Sequence, residues 1–190
     1  MKINFSRGNW TTDELTYAYP WRFNLTPQFT QLDDCVINTV DPDAPGGFEW
    51  ISLMSKQAYT KGSKITVNCE FEHFGAPLIV IAENFDTDDR GVLRCGNYFE
   101  IVLWEKGVNV WRIYRKNGEN SWKKVMAVTF PVKEGEKHTL SAEVTDIGIQ
   151  MEVGELKFFL RVDDMYESFH LGLTACEGIN RFYGMTIEQL

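Results

Sequence analysis

From Ser63 to Glu72 the chain reads Ser-Lys-Ile-Thr-Val-Asn-Cys-Glu-Phe-Glu, with an apolar residue at every second position. Successive side chains of a strand point to opposite faces. Ile65, Val67, Cys69 and Phe71 must therefore share one side, and Thr66, Asn68, Glu70 and Glu72 the other. The same period of two returns over residues 140–144, 149–153, 156–162 and 169–173. Shorter runs at 35–40, 49–56, 77–83 and 121–130 also read as strands. Turn signals separate them: Lys61-Gly62, Lys106-Gly107, Asn117-Gly118, Gly148, Gly154 and Gly178. No stretch carries a convincing helical period. The pattern predicts an all-β fold, an antiparallel β-sandwich with few or no helices. No Pro/Ser-rich linker or shift in composition divides the chain, so residues 1–190 read as a single domain.

The first 45 residues are less regular. Residues 3–5 suit an edge strand, and Thr11-Thr12-Asp13-Glu14-Leu15 suits the opening of a short helix. The stretch 17–29 holds Tyr17, Tyr19, Trp21, Phe23 and Phe29 and reads as a loop packed over one end of a sheet.

Charge and cysteine content narrow the function. The 19 basic and 27 acidic side chains give a net charge of −8. That sign repels phosphate backbones and anionic lipid, so neither a nucleic-acid nor a membrane partner is expected. No apolar run approaches the roughly 18 residues of a membrane span. Residues 1–7 contain no apolar core of the signal-peptide kind, so a chain that starts naturally at Met1 is expected in the cytoplasm. Cys35, Cys69, Cys95 and Cys176 form no C-x-x-C pair and are expected as buried free thiols.

Aromatic residues make up 14% of the chain, with six Trp, seven Tyr and thirteen Phe. The segment Tyr98 to Arg115 concentrates the question of where they go. With Lys106-Gly107 as a two-residue turn, Glu105 faces Val108, Trp104 faces Asn109 and Val102 faces Trp111. Cross-strand partners share a face. One side then holds Phe99, Ile101, Leu103, Val108 and Val110, with Arg112 and Tyr114 towards the open end, and is a core face. The other holds Tyr98, Glu100, Val102, Trp104, Asn109, Trp111, Ile113 and Arg115. Aromatic plates mixed with a carboxylate, an amide and a guanidinium suit a sugar, whose C–H face lies on an indole while its hydroxyls bridge to polar groups. The competing reading is a second apolar layer, with both indoles covered by the N-terminal segment and Glu100 paired to Arg115.

The C-terminal third carries a resemblance. Lys137-His138-Thr139-Leu140-Ser141-Ala142-Glu143-Val144, then Gly148 to Val153, Phe169 to Thr174 and Asn180 to Ile187 resemble the ending of concanavalin A-like lectin/glucanase and laminin-G-like sandwiches. Lys137 stands where such chains usually carry Trp, and Gly154-Glu155 replaces their usual Asp-Gly turn. The resemblance implies two curved antiparallel sheets in a jelly roll, with ligand on the concave sheet and the first strand beside the last. It is also similar to uncharacterised bacterial proteins found among polysaccharide-utilisation genes. It implies an oligosaccharide or polysaccharide fragment as partner.

Catalytic alternatives were weighed on the same scaffold. Retaining glucanases need two carboxyls about 5–5.5 Å apart, and their E-x-D-x-x-E or E-x-D-x-E string is absent. Glu70 and Glu72 on one strand, with Glu100 on a strand expected nearby, form the candidate acid cluster. Tyr98, His170 and Arg115 imitate the set used by polysaccharide lyases. His73, His138 and His170 are too scattered for a metal cluster. No cofactor is called for. Calcium has only a partial loop, Asp86-Thr87-Asp88-Asp89-Arg90-Gly91, and loose candidates in Asp41, Asp43, Asp163 and Asp164. Three readings remain open: a glycan-binding protein using Tyr98, Glu100, Trp104, Asn109, Trp111, Arg115 and His170; a glycoside hydrolase or lyase using Glu70, Glu72 or Glu100; and a protein–protein interaction module.

Overall fold

A computed structural model describes residues 1–21, 26–38, 50–116 and 119–190. In chain order the strands begin with β1 (Lys2–Asn4), β2 (Leu15–Tyr17), β3 (Thr30–Gln31), β4 (Val36–Ile37), β5 (Ile51–Ser55) and β6 (Tyr59–Thr60). They continue through β7 (Ser63–Glu72), β8 (Ala76–Ala82), β9 (Phe85–Thr87), β10 (Leu93–Cys95), β11 (Tyr98–Trp104) and β12 (Gly107–Lys116). The last are β13 (Glu119–Thr129), β14 (His138–Thr145), β15 (Gly148–Val153), β16 (Leu156–Arg161), β17 (Ser168–Cys176) and β18 (Ile179–Gln189). The described residues contain no helix. The turn of helix expected at residues 11–15 does not form. The Thr11 hydroxyl instead closes a local loop with Asp13, and Leu15 enters β2 opposite Ser55.

Two antiparallel sheets make the sandwich. The first runs β16-β15-β14-β7-β18-β4-β3, with β1 also paired to β18. Ile3 lies opposite Met185, so the opening strand sits beside the last. The second runs β13-β12-β11-β8-β17-β5-β2, with β6 on β17. Strands β9 and β10 form a separate two-stranded flap. The alternating residues close the core from both sides. Phe71, Leu140, Met151 and Phe182 come from the first sheet; Ile79, Phe99, Val110 and Phe169 come from the second. A bulge at Tyr183 lets Phe182 and Met185 both face inward although they are three residues apart. All four cysteines are free and buried. Burial pushes the Cys69 thiol up to about 12, so it packs as an apolar group.

The hairpin of β11 and β12 has the expected sides in a different register. Trp104 pairs with Gly107, Val102 with Asn109 and Glu100 with Trp111. The turn is Glu105-Lys106, one position earlier than expected, and the pairing slips by two. An even slip leaves the faces unchanged. The slip has a cause in the next strand. Gly107 has φ +125° and lies so close to the Val128 carbonyl that a side chain there would collide with it.

The two outer faces differ in chemistry. On the first sheet, the Arg181 guanidinium lies between Glu70 at 3.1 Å and Glu72 at 2.7 Å. The Tyr183 hydroxyl donates to Glu70 at 2.7 Å. Lys64 and Lys157 hold Glu152 at 2.9 and 3.0 Å. That face is an ion-pair lattice. On the second sheet the outward positions of β8 are all buried, under a lid at Val80 and Ala82 and on the floor of a cleft at Ala76 and Leu78. At the rim, β13 is largely exposed and carries Lys123 and Lys124 near its centre.

Two outcomes test this account. Phe99→Ala removes a fully buried ring and is expected to cost about 3–5 kcal/mol, read as a lower urea midpoint at unchanged slope. Hydrogen bonds from Lys64 and Lys157 draw the Glu152 carboxyl down from 4.5 to about 2. A lowered folded pKa gives stability that is present above the unfolded value and lost as pH falls through the folded one. Glu152→Gln should therefore flatten the stability profile between pH 4.5 and about 2, measured by thermal melts across that range.

Candidate functional site

Two apolar clusters occupy the outer face of the second sheet. Met54, Val80, Ala82, Tyr98 and Ile113 form one, closed over by Ala18, Cys95, Phe85 and Leu93. Trp50, Ala76, Leu78 and Cys176 form the other, with Val102 against them. The first has a lid and the second is open.

The lid is the flap together with residues 18–20. Tyr19 runs alongside Arg94, with Tyr19 N–H donating to Leu93 O and Cys95 N–H donating to Tyr19 O, each at 3.0 Å. Arg94 fastens it. Its side chain is only 2% exposed and donates to Asp88 at 2.8 and 3.0 Å and to the Pro20 carbonyl at 3.0 Å. Burial works against the Asp88 charge, yet hydrogen bonds from Val92, Arg94 and Arg90 outweigh it and hold the carboxyl well below the usual carboxylate range.

The uncovered cluster is the floor of a cleft of about 690 Å³. Strand β11 contributes Glu100, Val102 and Trp104, β12 contributes Asn109 and Trp111, and β13 contributes Trp122. Glu100 is 4% exposed, while Trp104, Trp111 and Asn109 are half-buried. Lysines lean on both indoles: Lys106 Nζ lies 5.4 Å from the Trp104 ring centre and Lys124 Nζ 4.8 Å from that of Trp111. Lys106 is also 3.1 Å from Glu105.

At one end of the cleft two turns lock together. The β7–β8 turn puts His73 at φ +52° and Phe74 at +63°, and the β17–β18 turn puts Glu177 at +55° and Gly178 at +34°. The left-handed region costs residues with side chains on the order of 1–3 kcal/mol each. A side chain on Gly178 would strike His73 O and Gly75 N, and one on Gly75 would strike Ile179 O, so the two backbones touch. Buried Asn38 and Asn180 pin the second turn: Asn38 donates to Gly178 O at 2.9 Å, and Asn180 to Glu177 O at 2.8 Å. Phe74 N–H donates to Glu134 at 3.0 Å, and the ring is 74% exposed.

Of the ligand residues expected from sequence, Glu100, Trp104, Asn109 and Trp111 come together in the cleft. Tyr98, Arg115 and His170 share the correct side of their strands but lie elsewhere. Tyr98 is buried in the lidded cluster. His170 stacks on Phe85 at 4.2 Å, with Nδ1 2.9 Å from Ser55 O. Arg115 is capped by Trp21, its guanidinium carbon 3.0 Å from the ring centre. Among the described residues, Trp21 of the N-terminal segment thus covers Arg115, while Trp104 and Trp111 are half-buried. Glu70 and Glu72 are on the other sheet, so the acid cluster with Glu100 does not assemble.

The calcium candidates are engaged otherwise. Asp88 accepts from Arg90 and Arg94, Asp163 from Arg161, and Asp164 from Arg112. Asp41 and Asp43 lie outside the described residues, among which no acidic, histidine or cysteine group is arranged to hold a metal ion.

Trp50, Phe74, Trp122 and Glu177 also line the cleft and were not anticipated. Trp122 had a signal. Counting back from a two-residue turn at Asn117-Gly118 places it opposite Ile113, on the side of Trp104 and Trp111, and that pairing is found.

No protein-family model matches the sequence, and no curated protein matches it. Solved structures do. The chain is similar to carbohydrate binding module CBM66 from Bacillus subtilis at 12% identity and a TM-score of 0.65, covering 92% of this chain and 95% of that one. A glycoside hydrolase family 16 endo-glucanase from Bacteroides ovatus gives 12% identity and 0.62, covering 99% of each. Beta-agarase A from Zobellia galactanivorans gives 9% and 0.69, covering 100% of this chain and 91% of that one. At these identities the likeness is one of fold, and the fold is the concanavalin A-like jelly roll.

The flap carries its own test. Arg94→Met should leave the sandwich folded while amide exchange across β9 and β10 rises towards that of an open loop. Unchanged protection there in a hydrogen–deuterium exchange experiment would mean that Phe85 and Leu93 hold the flap without the guanidinium.

Proposed function

We propose that the protein binds a glycan in the open cleft of the second sheet. The observation that carries this reading is the pair of half-exposed indoles, Trp104 and Trp111, set beside a buried carboxylate and an amide, Glu100 and Asn109. An apolar wall with a few placed polar groups is what a small-ligand cleft requires. Stacked pyranose rings fit the indole faces, and Glu100 and Asn109 fit the hydroxyls. The similar structures, a carbohydrate binding module, an endo-glucanase and an agarase, support the same ligand class.

Binding is preferred to hydrolysis on the carboxylates. Double-displacement chemistry needs a matched pair about 5–5.5 Å apart. Glu70 and Glu72 lie on the other sheet from Glu100, and of the other cleft carboxylates Glu105 is tied to Lys106 and Glu177 sits on the β17–β18 turn at one end. A turnover assay separates the two. Reducing sugar released by the wild type and lost in Glu100→Gln would make the protein an enzyme.

Calorimetric titration against mixed-linkage glucan and agarose oligosaccharides tests the binding reading. Trp104→Ala and Trp111→Ala are each expected to weaken binding by roughly 30-fold, the scale of a central aromatic anchor, with the thermal midpoint little changed. His170→Gln, under the flap and away from the cleft, should bind as the wild type does. Equal loss in all three variants would point to unfolding rather than to a site.

A further inference from the structure

Phe74 is the most exposed large apolar side chain of the cleft, and it is held out by backbone that resists it. A bulky residue at φ +63° next to another at +52° is an outlier. The interlocked Gly75 and Gly178, with Asn38 and Asn180 beneath, leave the turn no easy relaxation. A ring that served only the fold would be buried. This one is fixed and open to solvent.

Its position along the sheet gives it a use. Trp122 is level with Ile113 and hence with Tyr98, at the start of β11. Leu78 is level with Val102, and Phe74 lies four residues before Leu78, past the level of Trp104. From Tyr98 to Trp104 the strand spans about 20 Å. The aromatic residues therefore mark out an elongated path with Trp122 at one end, Trp111 and Trp104 along it, and Phe74 at the other.

We propose that Phe74 is a preset stacking platform, the terminal subsite of the cleft, and that the ligand is an extended oligosaccharide rather than a mono- or disaccharide. This rests on the glycan reading above. The turn that carries the ring is constrained before binding, so the ligand does not bear the cost of ordering that backbone.

The test is a length series, from two to six sugar units, in whichever class of the mixed-linkage glucan and agarose panel the wild type binds. Glycine accepts a positive φ, so Phe74→Gly removes the ring without forcing the turn to refold. Its affinity for the longest oligosaccharides should fall about tenfold, the upper end of what one ring contact contributes. Disaccharide binding should be unchanged and the thermal midpoint should not fall. Phe74→Tyr should restore the wild-type length dependence. Unchanged affinity at every length, or an equal loss at every length, overturns the platform while leaving the glycan reading intact if Trp104→Ala weakens binding as expected above. No binding of any panel member by the wild type removes both.

Discussion

The pairing of Trp104 with Gly107 decides which side of the second sheet every residue of β11 and β12 occupies. Side chains alternate strictly along a strand and β11 is held by β8, so a slip of one residue would turn β12 over, sending Trp111 into the core and Val108 and Val110 into water. The close approach of Gly107 to the Val128 carbonyl removes that freedom. A single missing side chain in a third strand's shadow thus fixes the chemistry of the whole outer face.

That face is then divided by the lid. Outward residues of β8, β11 and β12 continue as one apolar surface, and the flap with residues 18–20 covers only part of it. Arg94 makes the cover possible by joining two pieces: the flap turn through Asp88 and the N-terminal segment through Pro20. A guanidinium is suited to this because its donors spread in a plane and remain charged when buried. What the lid leaves exposed has several indoles beside polar groups; on the first sheet's outer face the carboxylates Glu70 and Glu72 are paired to Arg181.

How much was legible in the sequence follows from what each residue depends on. The inward and outward sides of Phe99, Ile101, Trp104 and Trp111 depend on parity alone, and parity is local. The turn position depends on a neighbour from β13, so it was misplaced by one residue. Tyr98 and His170 have the same parity as the cleft residues but lie under cover, and alternation reports a side without reporting what lies above it. Glu70 and Glu72 point outward as expected, but their sheet is set by strand order. Phe74 left no periodic trace, since its exposure comes from two turns far apart in the chain meeting at Gly75 and Gly178.

The rim of the second sheet has a consequence for the molecule in concentrated solution. Strand β13 is eleven residues long and ends its sheet, so one edge of its backbone is a template on which a foreign strand could grow into a ribbon. Adjacent ammonium groups at Lys123 and Lys124 make such stacking electrostatically costly. Because Lys124 also leans over the Trp111 ring, the residue that guards against fibre growth also stands over an indole of the cleft. Protection of the sheet edge and access to that ring are therefore coupled through one side chain.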